Sequence, residues 1–334
     1  MKLLRYLLFP FVPIYYVVTW LRNKLFDIGV LSQKKYDFPV ICVGNLSVGG
    51  TGKTPMIEYL IRLLMDDYKV ATLSRGYKRK TKGFQLADSS STAQSLGDEP
   101  FQFFNKFKNA VQVAVDTKRS HGIGQLLKTD QKPDVILLDD AYQHRKVKAG
   151  FNILLTTYAN PYFNDMVLPT GDLREPKIGA KRADIIVVTK CPDALSPVES
   201  EQIIQKIEPQ SHQKVFFSSI VYDENVYSNE ESIKLDNLPR FTLVTGIADA
   251  SALVAYLNGK GLQFEHLEFG DHHEFNDDDI KVLSGKELIL TTEKDFMRLK
   301  DFEVLKNSLY YLPMKISLKE GEVFDSLIKS FLVD

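Results

Sequence analysis

Residues 40–55 read VICVGNLSVGGTGKTP. The β-branched apolar run Val40-Ile41-Cys42-Val43 leads into a glycine-rich stretch ending Gly52-Lys53-Thr54. A strand, such a loop and a helix in that order form a phosphate-binding P-loop. Glycines let backbone N–H groups converge on phosphate oxygens without Cβ clashes. Ser47, Gly49, Gly50, Thr51, Gly52, Lys53 and Thr54 are therefore the expected nucleotide-binding set. Lys53 is expected to reach the β- and γ-phosphates, and the Thr54 hydroxyl to hold Mg²⁺. Pro55 suits a first helical turn, where N–H groups have no intrahelical partner. The helix start adds positive potential beneath the phosphates. Ser47 stands where such loops usually carry their first glycine, while Gly49 and Gly50 supply flexibility inside the loop. The bland alternative, a flexible turn between strand and helix, does not account for the Gly-Lys-Thr ending.

The rest of the composition fits a soluble catalytic body. A chain of 334 residues with 44% apolar content suggests about two domains with ordinary cores. A net charge of −1 gives no global basic field, so nucleic acid is not an expected partner. Cys42 and Cys191 each sit in or beside an apolar run, which points to reduced structural thiols.

The N-terminus differs from the rest. Residues 6–21 carry no charge, are interrupted by Pro10 and Pro13, and are flanked by Arg5, Arg22 and Lys24. The stretch is short for a membrane span, which needs about 20 apolar residues. No small-residue cleavage site follows it, against a removed signal peptide. With Tyr15, Tyr16 and Trp20 it reads as residues 1–30 forming an amphipathic helix in a membrane surface, its basic ends toward anionic phospholipid. The competing readings are a helix packed on the protein's own core and a single span.

Beyond the P-loop, apolar runs at 70–73, 111–115, 135–138, 153–155 and 185–188 alternate with helical or loop segments. This is the pattern of an α/β domain with a parallel sheet covered by helices on both faces. It is expected over 31–221. Residues 222–240 are polar and acidic and read as a linker or hinge. A smaller second α/β domain, 222–334, then has strands at 241–244, 288–290 and 309–312.

The run Val135-Ile136-Leu137-Leu138-Asp139-Asp140 is a Walker B strand. It delivers a carboxylate to the sheet's carboxyl end beside the P-loop, where Mg²⁺ can be held. His144 follows closely. Gly97-Asp98-Glu99-Pro100 is a tight acidic turn, Ser74-Arg75-Gly76-Tyr77 opens a basic run, and Arg174-Glu175 lies between Pro169 and Pro176. Asp271-His272-His273 could be a metal pair, but no spacing completes a tetrahedral site, and one histidine acting as a polar or acid–base partner is preferred.

These motifs together resemble the tetraacyldisaccharide 4′-kinase (lipid A 4′-kinase) family of Gram-negative bacteria. The resemblance rests on VGNLSVGGTGKTP at 43–55, LSRGY at 73–77, GDEP at 97–100, LDDAYQHR at 138–145, LPTGDLREP at 168–176, DHH at 271–273 and TTEKD at 291–295. It covers nearly the whole chain, and Ser47 belongs to the family pattern. Ala141-Tyr142 departs from the family's more frequent Gly-Phe and keeps the aromatic. The resemblance implies a P-loop kinase that uses ATP and Mg²⁺ on a lipid A disaccharide 1-phosphate precursor, at the cytoplasmic face of the inner membrane. By family analogy Asp98 is the base near the sugar 4′-hydroxyl, and Asp140 and His272 form a supporting dyad. Asp139 and Glu175 join Thr54 around Mg²⁺. Arg75, Arg119, Arg174 and His144 are candidates for substrate contacts.

Two other classes remain to be weighed. Thr189-Lys190-Cys191-Pro192-Asp193 superficially resembles a guanine-reading element, its Asp one residue late, which suggests a GTPase or metallochaperone-type P-loop protein. A membrane adaptor holding ATP as a structural ligand is the other, and retention of Lys53, Thr54, Asp98 and Asp139 argues against it.

Overall fold

The structure is a computed structural model and describes residues 5–271 and 273–333. The P-loop strand β1 (Val40–Asn45) is buried throughout and passes into helix α2 (Lys53–Leu64); helix α1 (Val12–Asp27) precedes them. The chain continues as β2 (Val70–Ser74), α3 (Asp98–Phe107), β3 (Val111–Val115), α4 (Arg119–Leu126) and β4 (Val135–Asp139). Then follow β5 (Phe151–Thr157), β6 (Ile185–Thr189), α5 (Pro197–Ile207) and β7 (Lys214–Tyr222). The expected strands of the first domain are all present, each lengthened by a residue or more or matched outright.

Among the described residues the larger sheet has nine strands. Two of them lie at its edges: Gln85–Leu86, and a late strand, β14 (Met314–Leu318). The spatial order is β14-β7-β6-β5-β1-β4-β2-β3, then Gln85–Leu86, antiparallel only at the two edges. β1 therefore lies between β5 and β4. Its crossover through α2 to β2 leaves the carboxyl ends of β1 and β4 side by side, where ligands bind in such sheets. Alternation along the strands splits the core in two. Val40, Cys42, Ile136 and Leu138 face one side. Ile41, Val43, Val135 and Leu137 face the other, beneath Met56, Ile57, Leu60 and Leu64 of α2.

The second sheet is built from β8 (Asn225–Tyr227), β9 (Ser232–Lys234), β10 (Phe241–Thr245), β11 (Phe264–Glu268), β12 (Ile289–Thr292) and β13 (Leu309–Leu312), in the order β9-β8-β13-β12-β10-β11. Helices α6 (Ser251–Gly259), α7 (Asp277–Ser284) and α8 (Glu293–Leu299) accompany it. The polar stretch 222–240, expected as a linker, instead contains the β8–β9 hairpin, fixed by the buried Val226 and Leu235. Val226, Ile233, Leu235 and Leu238, irregularly spaced among polar residues, left no readable period.

The other departure lies at the end of the sequence. β14 pairs antiparallel with β7, and helix α9 (Gly321–Val333) lies on the α2 face of the larger sheet. Phe324 and Ile328 are buried there, the Phe324 ring packs edge-on to Tyr59 at 5.7 Å, and Tyr59 donates to Asp325 at 2.8 Å. Residues 314–333 thus belong to the first sheet, although the sequence placed all of 222–334 in the second domain. The chain crosses between the sheets twice at adjacent points, where Asp223 N–H donates to the Pro313 carbonyl at 3.0 Å.

Candidate active site

The P-loop is held from three sides. Asn45, the last residue of β1, donates to the Thr51 hydroxyl at 2.8 Å. Thr189, the last residue of β6, donates to the Thr51 carbonyl at 2.9 Å. The 167–174 segment runs alongside, with Val48 N–H to the Asp172 carbonyl at 2.8 Å and Arg174 N–H to the Leu46 carbonyl at 2.7 Å. Ser47 is bridged to Leu173 in the same way. Gly49 (φ 107°) and Gly52 (φ 87°) take the left-handed conformations that only glycine adopts without strain. Gly52 caps α2, whose first turn has no side-chain cap, so its N–H groups stay available to an anion.

Beside this loop, β4 delivers two carboxylates with different environments. Asp139 is buried; Ser74 donates to its Oδ2 at 3.2 Å, and its Oδ1 has no hydrogen-bond partner. Burial, with the neighbouring charge of Asp140, pushes its carboxyl up to about 6. Asp140 sits in a left-handed conformation (φ 47°) at the strand exit, the kind of backbone strain that collects at functional sites. Its Oδ1 lies 3.7 Å from Lys53 Nζ and 2.9 Å from Arg174 Nη1. Burial alone would raise Asp140, but Lys53 and Arg174 outweigh it and hold the carboxyl below its usual value. Arg119 is buried behind the pair and donates to the Asp139 carbonyl at 3.3 Å. Burial lowers this guanidinium to about 10, so it remains a cation at neutral pH. His144 is pushed down to about 4 by burial and by the charges of Arg119 and Arg75, so it is neutral there. Arg75 itself is exposed.

Asp98 opens α3 behind Gly97 and is gripped by Arg298 of α8, whose Nε donates to its Oδ2 at 3.0 Å. The adjacent Glu99 lies 3.4 Å from Lys294, and its charge adds to the upward shift of Asp139. His273 is bound to Asp279 at 2.8 Å and lies tilted against Phe269, the ring centroids 4.8 Å apart. His272, the other member of the pair, lies outside the described residues.

Glu175 is buried in a hydrogen-bonded cluster. Its carboxylate accepts from Arg182 at 2.8 and 3.0 Å, from Gln143 at 3.0 Å and from Asn23 of α1. Oε2 thus ties α1 to the 168–176 loop, and Oε1 is shared by Gln143 and Arg182. Gln143 also donates to the Asn45 carbonyl at 2.8 Å, which links this cluster to the end of the P-loop strand. Ser74, Asn45, Thr189 and Arg298 were not singled out for these roles. Asn45 and Ser74 lay in quoted motifs without an assigned role, Thr189 lay in one as a possible base reader, and Asp193 of that motif is exposed.

A P-loop at the exit of a parallel strand, with its lysine against a Walker B carboxylate, defines the chain as a P-loop phosphotransferase. The profile of the family described as LpxK, tetraacyldisaccharide-1-P 4′-kinase, matches residues 4–332. The chain is 52% identical to tetraacyldisaccharide 4′-kinase of Flavobacterium johnsoniae, over 99% of this chain and 98% of the relative. It is 43% identical to that of Phocaeicola vulgatus, over 97% and 94%. Its fold matches LpxK from Aquifex aeolicus in complex with ATP with a TM-score of 0.79 at 32% identity, over 98% of this chain and 99% of that one. The chain belongs to the tetraacyldisaccharide-1-P 4′-kinase family.

Proposed function

We propose that the protein transfers the γ-phosphoryl group of ATP to the 4′-hydroxyl of a tetraacyldisaccharide 1-phosphate, a step of lipid A synthesis. The observation that carries this reading is the cluster Lys53–Asp140–Arg174 at the P-loop of a chain that follows the kinase family end to end. In phosphoryl transfer the protein's work is positioning and charge stabilisation. The P-loop amides and the start of α2 cradle the phosphates. Lys53 and Arg174 meet the charge that develops on the transferring group. Asp98 takes the acceptor proton, with Asp140 and His272 in support.

The residues also fit Mg²⁺. Asp139 Oδ1 is a buried acceptor without a partner, and Thr54 starts the helix at the same end of the sheet. Among the described residues no group of three or more His, Cys, Asp or Glu forms a closed metal cage. That suits an ion that takes one or two protein ligands and completes its shell with phosphate and water. Asp139 and Thr54 would hold it, and when bound it neutralises charge on the β- and γ-phosphate oxygens.

Work on a lipid acceptor calls for a surface, and α1 supplies one. Among the described residues no helix is long and apolar enough to cross a membrane. Leu7, Ile14, Val17, Val18, Trp20 and Leu21 are exposed along one stretch, while Tyr15 donates to the Arg174 carbonyl and Asn23 to Glu175 on the protein side. The reading is a peripheral enzyme at the cytoplasmic face of the inner membrane, its apolar helix face in the lipid and its basic flank toward anionic phospholipid. Incubation with γ-labelled ATP and purified tetraacyldisaccharide 1-phosphate in mixed micelles tests the reaction. Label at the 4′ position is expected; ATP consumption without labelled lipid, or a requirement for GTP, would reject it.

A further inference from the structure

We infer that Arg298, supplied by the smaller domain, is the positioning residue of Asp98, so that the base is assembled only where the two domains touch. The inference rests on the reading of Asp98 as the proton acceptor.

Arg298 is itself locked before it meets Asp98. Its Nη1 donates to Asp295 Oδ1 at 3.0 Å and to the Gly246 carbonyl at 3.3 Å. Asp295 is fully buried and accepts from Gly246 N–H at 2.9 Å and Thr292 Oγ1 at 2.8 Å. The guanidinium is thus fastened by one edge to the floor of the second sheet. Its other edge, Nε and Nη2, converges on Asp98 Oδ2. A planar fork held this way fixes direction as well as charge, which a lysine cannot do.

The far end of α3 is tied down too. Gln102 and Lys106 follow Asp98 at intervals of four, on one helix face. Gln102 donates to Glu58 of α2 at 2.9 Å. Lys106 Nζ lies 2.7 Å from Glu58 and 2.6 Å from Glu293 of α8. One face of α3 is therefore clamped to the P-loop helix and to the smaller domain at once, with Asp98 at its leading end. Among the described residues, the charged groups on the elements packed around Asp98 include Glu99 on its own helix, Arg298, Lys294 and Asp295 on α8, and Asp271, which lies 3.5 Å from Lys294.

The test compares Arg298→Gln, Arg298→Lys and Asp98→Asn in the full chain, reading kcat, the KM for ATP and the pH profile of kcat. Arg298→Gln is expected to lower kcat about 10²-fold and to leave the KM for ATP within about twofold, since the P-loop is untouched. The acidic limb of its profile should move up by about one pH unit, because a carboxylate that loses its cation holds its proton longer. Arg298→Lys should restore the limb and only part of kcat, as the charge returns without the fork. An Arg298→Gln enzyme with kcat within about threefold of the parent and an unmoved limb, beside an inactive Asp98→Asn, overturns the inference alone. Should Arg298→Gln fail to fold, parental kcat in Arg298→Lys overturns it equally. Turnover retained in Asp98→Asn rejects the base assignment beneath it.

Discussion

Two carboxylates one residue apart carry opposite shifts because β4 ends between them. Asp139 is the last residue in the sheet and is buried; Asp140 has left it and meets Lys53 and Arg174. Lys53→Ala removes the cation at the transferring group and is expected to lower kcat on the order of 10³-fold in a folded protein; single-turnover transfer checks it. Asp139 gives a stability prediction of the opposite kind. Its carboxyl, raised from 3.8 to about 6, keeps a proton in the folded chain that the unfolded chain releases. Stability of the protein without metal and nucleotide therefore falls as pH rises through that window. Asp139→Asn should stabilise that form at pH 7 by on the order of 1–3 kcal/mol while abolishing turnover, and the gain should vanish below about pH 4. Melting curves in chelator at pH 4 and 7 check both. The P-loop and Walker residues were legible because their chemistry is written in consecutive letters. The hydrogen bonds of Glu175 with Asn23 and the contact of Arg298 with Asp98 were not legible, because those partners lie far off in sequence.

At the scale of elements, α1 is a helix with two commitments. Pro10 and Pro13 did not prevent it: a short 3₁₀ turn, Tyr6–Phe11, takes the first, and the second falls in the first turn of α1. Its protein side is fastened through Tyr15, Asn23 and Arg145, which donates to the Asn23 carbonyl at 2.8 Å and to Asp27 at 2.7 Å. Removing residues 1–25 would therefore disturb the 168–176 loop along with the lipid-facing side. Ile14→Glu with Val18→Glu separates the two, since these side chains are 61% and 60% exposed. The pair should release the protein from anionic vesicles and raise the KM for the lipid acceptor, with melting temperature and ATP binding unchanged. Vesicle flotation that matches the parent would discard α1 as the anchor. Strand positions were readable from unbroken β-branched runs, as in Ile185–Thr189. β11, with its charged residues at 265 and 268, and the β8–β9 hairpin were not, because they sit at the rim of the small sheet, half exposed, where no apolar period is required.

For the whole molecule, the junction of α2, α3 and α8 decides how the domains hold together. Glu58 and Glu293 are only 2% and 8% exposed, and Lys106 lies between them. Arg62 adds a contact to Glu58 at 2.9 Å. Lys106→Met leaves a buried carboxylate pair without its shared cation, a loss of about 3–5 kcal/mol. Burial and the charge of Glu58 push the Glu293 carboxyl upward, so protonation relieves the strain in acid and the loss should be greatest at alkaline pH. Denaturant titrations at pH 6 and 8 check this; equal losses at both would contradict it. The sequence showed a charged residue inside the apolar stretch Met56–Ile61, but not its partners. Nor did it show that the second domain is an insertion, because strand pairing between β7 and β14 spans residues 222 to 314 and leaves no local mark. That pairing has a consequence for how the protein is made. The ribosome delivers the P-loop early, yet the sheet that carries it lacks its outer strand until residue 318 emerges, and its α2 face lacks Phe324 and Ile328 until later still. The nascent larger domain waits, with an open sheet edge and an uncovered apolar face, while the inserted domain is synthesised and folds first, so chaperone dependence should concentrate in that interval.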